Sequence, residues 1–422
     1  MAVFSMHKGT HDSFCYLCQN GGCALACDLC PRVLCSEHIE QFKTIPAQDR
    51  ASVRFVCPAC HVIIGRSRTS STSSLRDAIQ RAPGAPYRAF YIEVNKKFTP
   101  YFANPVNLTT EYHISQSARV NTSPIFILHL RLECLEEEGS VASVFFHALK
   151  PYFANEDTIH LHYADVPFNL NTDSDAEKHR RLITTVVEPL SHQGKARVLV
   201  FVYTHSHDVH GTLYYGTNLA SQTVDNWFDV LFPPDVRDVL RVHDTSLFML
   251  CCGALVNTTQ SYQALKGNCA TLQIRRLIAF EASHFQAALT VSFFLGYAQK
   301  FLIENVTFAD MHLADLLWQS LSLGRHSRVL LMQYNPEDPS PRVAVSEYRW
   351  IHKGVRPWGY RLPIQCPSCH GLFTFKNKEE LRGAIVSRCK TRDCTYSQTF
   401  NRPDDTVVLK RPEGAWMKLG RE

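Results

Sequence analysis

The sequence predicts a multidomain chain: a large α/β unit layered on a mostly parallel sheet, bracketed by two small cysteine-rich modules. Three observations predict it. The 422 residues are enough for two or three domains. The sixteen cysteines are unevenly spread, with eight between residues 15 and 60 and four between 366 and 394. Between these clusters, short apolar runs alternate with helical patterns of 12 to 20 residues, as successive strand–helix units require.

Composition narrows the function classes. A hydrophobic fraction of 45% and a charged fraction of 20% are those of an ordinary globular protein. The formal charge of +5 is mild and no long Lys/Arg block is present, so nucleic acid is not expected as the primary partner. The first residues, MAVFSMHKGTHDSF, lack a cationic start followed by an apolar core, so no secretory signal is expected. The uncharged run Ala282 to Gln299 contains Ser283, His284, Gln286, Thr290 and Ser292 and reads as a buried amphipathic helix, not a membrane span. The expected setting is intracellular, in nucleus or cytoplasm, where disulfides are rare and cysteine spacing points to metal. The sequons at Asn107, Asn121, Asn257 and Asn305 are then coincidental.

The first module spans residues 10–63. Its pairs are Cys15/Cys18, Cys27/Cys30, Cys35/His38 and Cys57/Cys60, each separated by two residues. Eight soft ligands make two closed, structural Zn²⁺ sites. A segment this short has little apolar core, so metal binding must supply much of its folding free energy. Cys23 is left over as a packed thiol or a surrogate ligand. The stretch from 12 to 62 resembles a PHD finger, with NGG after the second ligand, CDLCPR at the third and fourth, and Phe55 where that family usually has Trp. The resemblance implies cross-bracing: Cys15, Cys18, Cys35 and His38 in one site, Cys27, Cys30, Cys57 and Cys60 in the other. The fifth and sixth ligands run Cys then His, the reverse of the family's order. Zinc accepts either order, but the swap weakens the expectation of a histone tail as ligand, and only Phe14 and Tyr16 offer an aromatic cage. The Cys-x4-Cys-x2-His order follows the PHD pattern and argues against a RING-type ubiquitin ligase.

Residues 64–86, rich in Ser, Thr and Arg and ending in Pro-Gly-Ala-Pro, read as a flexible linker. At the other end, residues 355–410 carry Cys366/Cys369 and Cys389/Cys394 between strand-like segments, which suggests a zinc ribbon with a third Zn²⁺. His370 reads as a neighbour of that site. The scattered Lys376, Lys378, Arg388, Lys390 and Arg392 read as a solvated face.

The α/β unit is assigned to residues 87–345. In such sheets functional residues gather beyond the carboxyl ends of strands. Two ends stand out: VLVFVYTHSHDVHG, which closes on His205, His207 and His210, and SLFMLCCG, which closes on Cys251 and Cys252. A thiol and an imidazole on neighbouring strand ends form a nucleophilic dyad, because the imidazole favours the thiolate. Backbone N–H groups at the strand-to-helix turn can stabilise an oxyanion.

This order and spacing resembles the caspase-like cysteine peptidases, particularly CHAT domains and their separase relatives, in which a strand ending in His precedes one ending in Cys by about 50 residues. Here His205 precedes Cys252 by 47 residues, and the resemblance covers about residues 124 to 335. It implies a cysteine endopeptidase with Cys252 preferred over Cys251 as nucleophile. His205 would be the base, with His207 matching an alternative alignment and His210 least favoured. Ser206 replaces the family's Gly. The zinc modules would recruit a protein or peptide partner. The competing expectation is a catalytically inactive zinc-finger adaptor, or a chromatin or histone-tail reader, with the α/β unit as scaffold.

Overall fold

The computed structural model describes residues 11, 15–18, 20, 24–66, 75–79, 86–109, 124–153, 160–192, 196–217, 219–338, 342–372, 375–379, 383–404, 406–411 and 414–420. Cys23, Phe14 and parts of the 64–86 segment lie outside them. The chain divides into two compact units, the first built mainly on residues 1–123 and the second on most of the remainder.

In the first unit, β1 (Ala24–Ala26) pairs antiparallel with β2 (Val33–Cys35). The short β3 (Arg54–Phe55) pairs with β4 (Phe90–Val94), which pairs in turn with β5 (Lys97–Pro100). Helix α1 (Pro58–Arg66) starts just after Cys57, and α2 (Leu75–Ile79) buries Leu75 and Ile79 in the same core. That core also takes Phe55, Phe90, Tyr91 and Val106. Residues 86–109 thus pack with the cysteine-rich module, tied by Val56 N–H to the Ala89 carbonyl at 2.8 Å and by the Tyr87 hydroxyl to the Val56 carbonyl at 2.7 Å. The strand-like AFYIEV joins this small sheet because its aromatic side chains complete a core the module lacks.

The second unit is organised by a nine-stranded sheet. Its strands are β6 (Ile125–Leu132), β7 (Leu161–Phe168), β8 (Arg197–Tyr203), β11 (Asp244–Leu250), β12 (Arg276–Phe280), β13 (Val329–Tyr334), β14 (Val343–Ile351), β18 (Thr406–Arg411) and β19 (Gly414–Gly420). The hairpin β9 (Tyr214–Gly216) and β10 (Leu219–Ala220) stands apart, as do the ribbon strands β15 (Phe375–Glu379), β16 (Ile385–Cys389) and β17 (Ser397–Phe400). The order across the large sheet is β18-β19-β14-β13-β12-β11-β8-β6-β7.

The expectation of a mostly parallel sheet needs correction. β7, β6, β8, β11 and β12 run parallel, but β13, β14, β19 and β18 are joined by antiparallel pairings. The sheet is mixed. β13 enters antiparallel to β12, β14 follows it through a short connection, and β18 and β19 return from beyond the ribbon. The ribbon is therefore inserted between two strands of the main sheet.

Helices cover both the parallel and the antiparallel halves of the sheet. They are α3 (Val141–Leu149), α4 (Asp173–Ser191), α5 (Val224–Leu231), α6 (Pro234–Val242), α7 (Ala254–Asn257), α8 (Thr259–Thr271), α9 (Val291–Tyr297), α10 (Asp310–Gln319) and α11 (Leu321–His326). Helix α4 shows why they form where they do. The Thr172 hydroxyl accepts the Asp175 N–H as an N-cap, and Asp173 and Asp175 place negative charge in the first turn. His179, Ile183, Val187 and Leu190 then bury one stripe against the sheet. The run from Ala282 to Gln299, expected as one helix, breaks into a 3₁₀ turn (Ala287–Thr290), α9 and the start of a π-helical turn (Ala298–Ile303). No described helix is long and apolar enough to cross a membrane.

Strand alternation sorts the core into two faces. Val198, Val200 and Val202 of β8 and Leu247, Met249 and Cys251 at β11 share one apolar cluster. On the opposite face Phe201 meets Phe248, Phe145 and Phe294, with ring centroids 4.8, 5.3 and 5.3 Å away. Phe201 is fully buried. Phe201→Ala is expected to lower the stability of this unit by about 3–5 kcal/mol, read from urea unfolding. A loss below about 1 kcal/mol would show that the surrounding rings close the gap.

Candidate functional site

Three side-chain clusters have the geometry of metal centres. They are Cys15, Cys18, Cys35 and His38; Cys27, Cys30, Cys57 and Cys60; and Cys366, Cys369, Cys389 and Cys394. In each, the four donor atoms lie within 4.8 Å of one another. A tetrahedron with Zn–S bonds of 2.3 Å has S···S edges of about 3.8 Å. The Sγ···Sγ separations Cys18–Cys35, Cys30–Cys57, Cys366–Cys394 and Cys369–Cys389 are 3.6, 3.7, 3.8 and 3.6 Å. The donor sets fit zinc. In the first unit the pairs interleave, first with third and second with fourth, as the PHD resemblance implies.

The surroundings fit a bound cation as well. The Nδ1 of His38 lies 2.9 Å from the Thr109 carbonyl, which fixes the proton on Nδ1. Its Nε2 is buried without a hydrogen-bond partner and is left to bind metal. In the all-cysteine site the backbone donates to sulfur: Cys57 N–H to Cys27 Sγ at 3.3 Å and Cys60 N–H to Cys57 Sγ at 3.4 Å. Arg32 adds a guanidinium contact to Cys30 Sγ at 3.7 Å, partly offsetting the negative charge of four thiolates. Asp28 locks the knuckle by accepting the Phe55 N–H at 2.7 Å. In the ribbon, the knuckle of Cys366 and Cys369 is closed by Cys366 N–H to the Gly371 carbonyl at 2.9 Å, and Cys389 ends β16. His370 is outside the four-sulfur set.

The thiol site lies at the carboxyl ends of β8 and β11. These strands are parallel neighbours with Tyr203 opposite Leu250. His205 and Cys252 each lie two positions beyond these last paired residues, in the turns that follow the strands. The Ser206 hydroxyl donates to the Cys252 carbonyl at 2.8 Å and ties the two turns together. Cys251 continues the buried alternation of β11; burial first, and then its neighbour Cys252, push its thiol far above the usual range. Cys252 is half-exposed. The Tyr203 hydroxyl is also raised, chiefly by burial and further by the charge of Cys252.

The three histidines differ. His205 is exposed and packs its ring edge-on to Tyr214 at 6.0 Å. The Nδ1 of His207 accepts the Val209 and His210 N–H groups at 3.3 and 3.4 Å, and its ring stacks on His210 at 5.0 Å. That assigns the His207 proton to Nε2 and makes the ring a turn cap. Among the described residues, no hydrogen bond joins an imidazole of the three to the Cys252 thiol. The N–H of Gly253 is taken by the Ala282 carbonyl at 2.8 Å, which removes it as an oxyanion donor.

One site residue escaped the sequence reading. His129, in the middle of the apolar IFILHLRL, is fully buried and lines a cleft of about 390 Å³ with Tyr203, Leu250, Ala287 and the segment from Cys134 to Val141. Its Nδ1 donates to Asp165 Oδ1 at 2.9 Å, and its Nε2 has no partner. Burial alone would raise the Asp165 pKa, but hydrogen bonds from His129 and Arg131 outweigh it and hold the carboxyl below its usual range. The sequence signal was a lone polar residue in a buried strand. Tyr16, the described member of the expected aromatic cage, is 5% exposed and packed in the core, so it forms no open wall for a ligand.

No protein-family model matches the sequence, and no curated protein is significantly similar to it.

Purified chain is expected to carry three zinc ions by plasma mass spectrometry, and Cys18→Ser and Cys366→Ser to lose one each. A wild-type content of one or less would contradict the three-site assignment. At Gly253, an added Cβ would lie 1.9 Å from the Glu281 carbonyl oxygen. Gly253→Ala is therefore expected to cost about 1–3 kcal/mol in thermal or urea unfolding, since backbone must move to admit it.

Proposed function

We propose that the α/β unit is a caspase-like cysteine endopeptidase, with Cys252 as nucleophile and His205 as general base. The zinc modules would be rigid platforms that engage a protein or peptide partner. The observation that carries this reading is a partly exposed cysteine just past the end of β11, with an exposed histidine just past the end of the adjacent parallel strand β8. Burial argues against Cys251, and the backbone contacts of His207 argue against it as base.

In this mechanism the Cys252 thiol gives its proton to His205 as sulfur attacks the peptide carbonyl. The imidazolium then protonates the departing amine, leaving a thioester. Water, activated by the neutral imidazole, releases the carboxylate product and restores the thiol. With Gly253 engaged, the N–H of Cys252 itself would serve as the oxyanion donor. Catalytic hydrogen bonds often tighten only around bound substrate, so the base would close on the thiol when a peptide binds.

A second reading, a non-catalytic scaffold, is favoured by the missing thiol–imidazole hydrogen bond. A peptide carrying a thiol-reactive warhead, with the labelled residue located by mass spectrometry, separates the two. Wild type and Cys251→Ala are expected to label at Cys252, Cys252→Ala to lose that label, and His205→Ala to label about 10²-fold more slowly. Undiminished labelling of Cys252→Ala would overturn the nucleophile assignment. An unchanged rate in both His205→Ala and His207→Ala would leave the scaffold reading.

A further inference from the structure

Four guanidiniums converge on one small pocket where β12 leaves the large sheet and β13 enters it. Arg328 directly precedes β13, Arg349 lies on β14, and Arg356 and Arg361 follow β14 in sequence. The pocket, of about 100 Å³, is also lined by Glu281, His326 and Trp350. The sheet register brings these elements together: Phe280 is opposite Val329, and Val329 is opposite Tyr348.

The charges do not balance. Glu347 accepts from both Arg328, at 3.4 Å, and Arg349, and Glu281 lies 3.5 Å from Arg328. Those two carboxylates answer Arg328 and Arg349. Arg356 spends one nitrogen on the Arg325 carbonyl at 2.6 Å. Among the described residues neither Arg356 nor Arg361 has a carboxylate within ion-pair distance. Burial, then the proximity of Arg361 and Arg328, lowers the pKa of Arg356, and the more distant charge of Glu281 only partly opposes them.

His326 Nε2 accepts the Gln286 N–H at 2.9 Å, so the proton of the neutral ring sits on Nδ1. Two guanidiniums without a carboxylate in ion-pair contact favour a compact ligand that accepts hydrogen bonds and carries two negative charges. A carboxylate neutralises one guanidinium; a phosphate group neutralises both and matches their planar fork.

We infer that this pocket binds a phosphate dianion, either inorganic phosphate or the phosphate group of a monoester, through Arg356 and Arg361. An ester substituent would leave past Arg361, the exposed member.

The test is calorimetric titration of the zinc-loaded full chain with inorganic phosphate and, separately, with phenyl phosphate, at ionic strength matched with chloride. Saturable one-to-one binding is expected in at least one arm, and the tighter arm identifies the source. Arg361→Gln and Arg356→Gln should each weaken it tenfold or more, whereas Arg392→Gln on the exposed ribbon surface should leave it unchanged. Arg361 is exposed, so its variant keeps the test valid if Arg356→Gln unfolds. No saturable binding in either arm, or equal weakening by Arg361→Gln and Arg392→Gln, overturns the inference. Cys252→Ala should bind phosphate like wild type, which separates this result from the peptidase reading.

Discussion

The register of β8 against β11 is the constraint on which the second unit's chemistry depends. Side chains alternate across a sheet with a period of two, so a slip of one residue would exchange the two faces. Cys251 would then leave the valine-rich cluster and Cys252 would enter it. The register is held by burial on both faces, with β-branched and aliphatic residues beneath and the phenylalanine cluster above. Beyond the last paired residues, the Ser206 hydroxyl on the Cys252 carbonyl and the Gly253 N–H on the Ala282 carbonyl extend it into the turns. Three strand ends are thereby joined at one edge of the sheet, from which both the Cys252 turn and the arginine-lined pocket are built.

The metal centres answer a different physical problem. The first unit has few long elements, and its strands are two to five residues long. Such pieces cannot hold one another by sheet pairing alone. Interleaved zinc sites would pin four chain segments around two points, and the aromatic residues of β4 and β5 then have a fixed surface to cover. Because the ligands come from both ends of the module, removing either ion would free segments that the other contacts. The ribbon has the same logic on a smaller scale, with four sulfurs at one end of a three-stranded sheet.

How much was legible in the sequence follows from how local each feature is. The pairs at Cys15, Cys27, Cys35, Cys57 and Cys366 announce themselves because a chelating knuckle needs its ligands within a few residues. The parallel half of the sheet was legible because each strand is followed by its own covering helix. The antiparallel half was not. VAVSEYRWI and GAWMKLG carry strand patterns, but nothing local says that their partners lie on the far side of a zinc ribbon. The fate of AFYIEV was hidden for the same reason, since its partner Phe55 lies across the Ser-rich segment. His129 and the four arginines show the limit most plainly. A buried histidine and scattered basic residues have no spacing to recognise, and their meaning comes only from what the fold sets beside them.

The position of β19 has a consequence for how the protein is made. This strand is in the interior of the sheet, between β14 and β18, and buries Trp416 and Met417. It is also the last strand in chain order. During synthesis the edge of β14 that it pairs with must wait, unpaired, while the whole ribbon is translated. A tryptophan-bearing strand edge is thereby presented to other chains for as long as the ribbon takes to emerge.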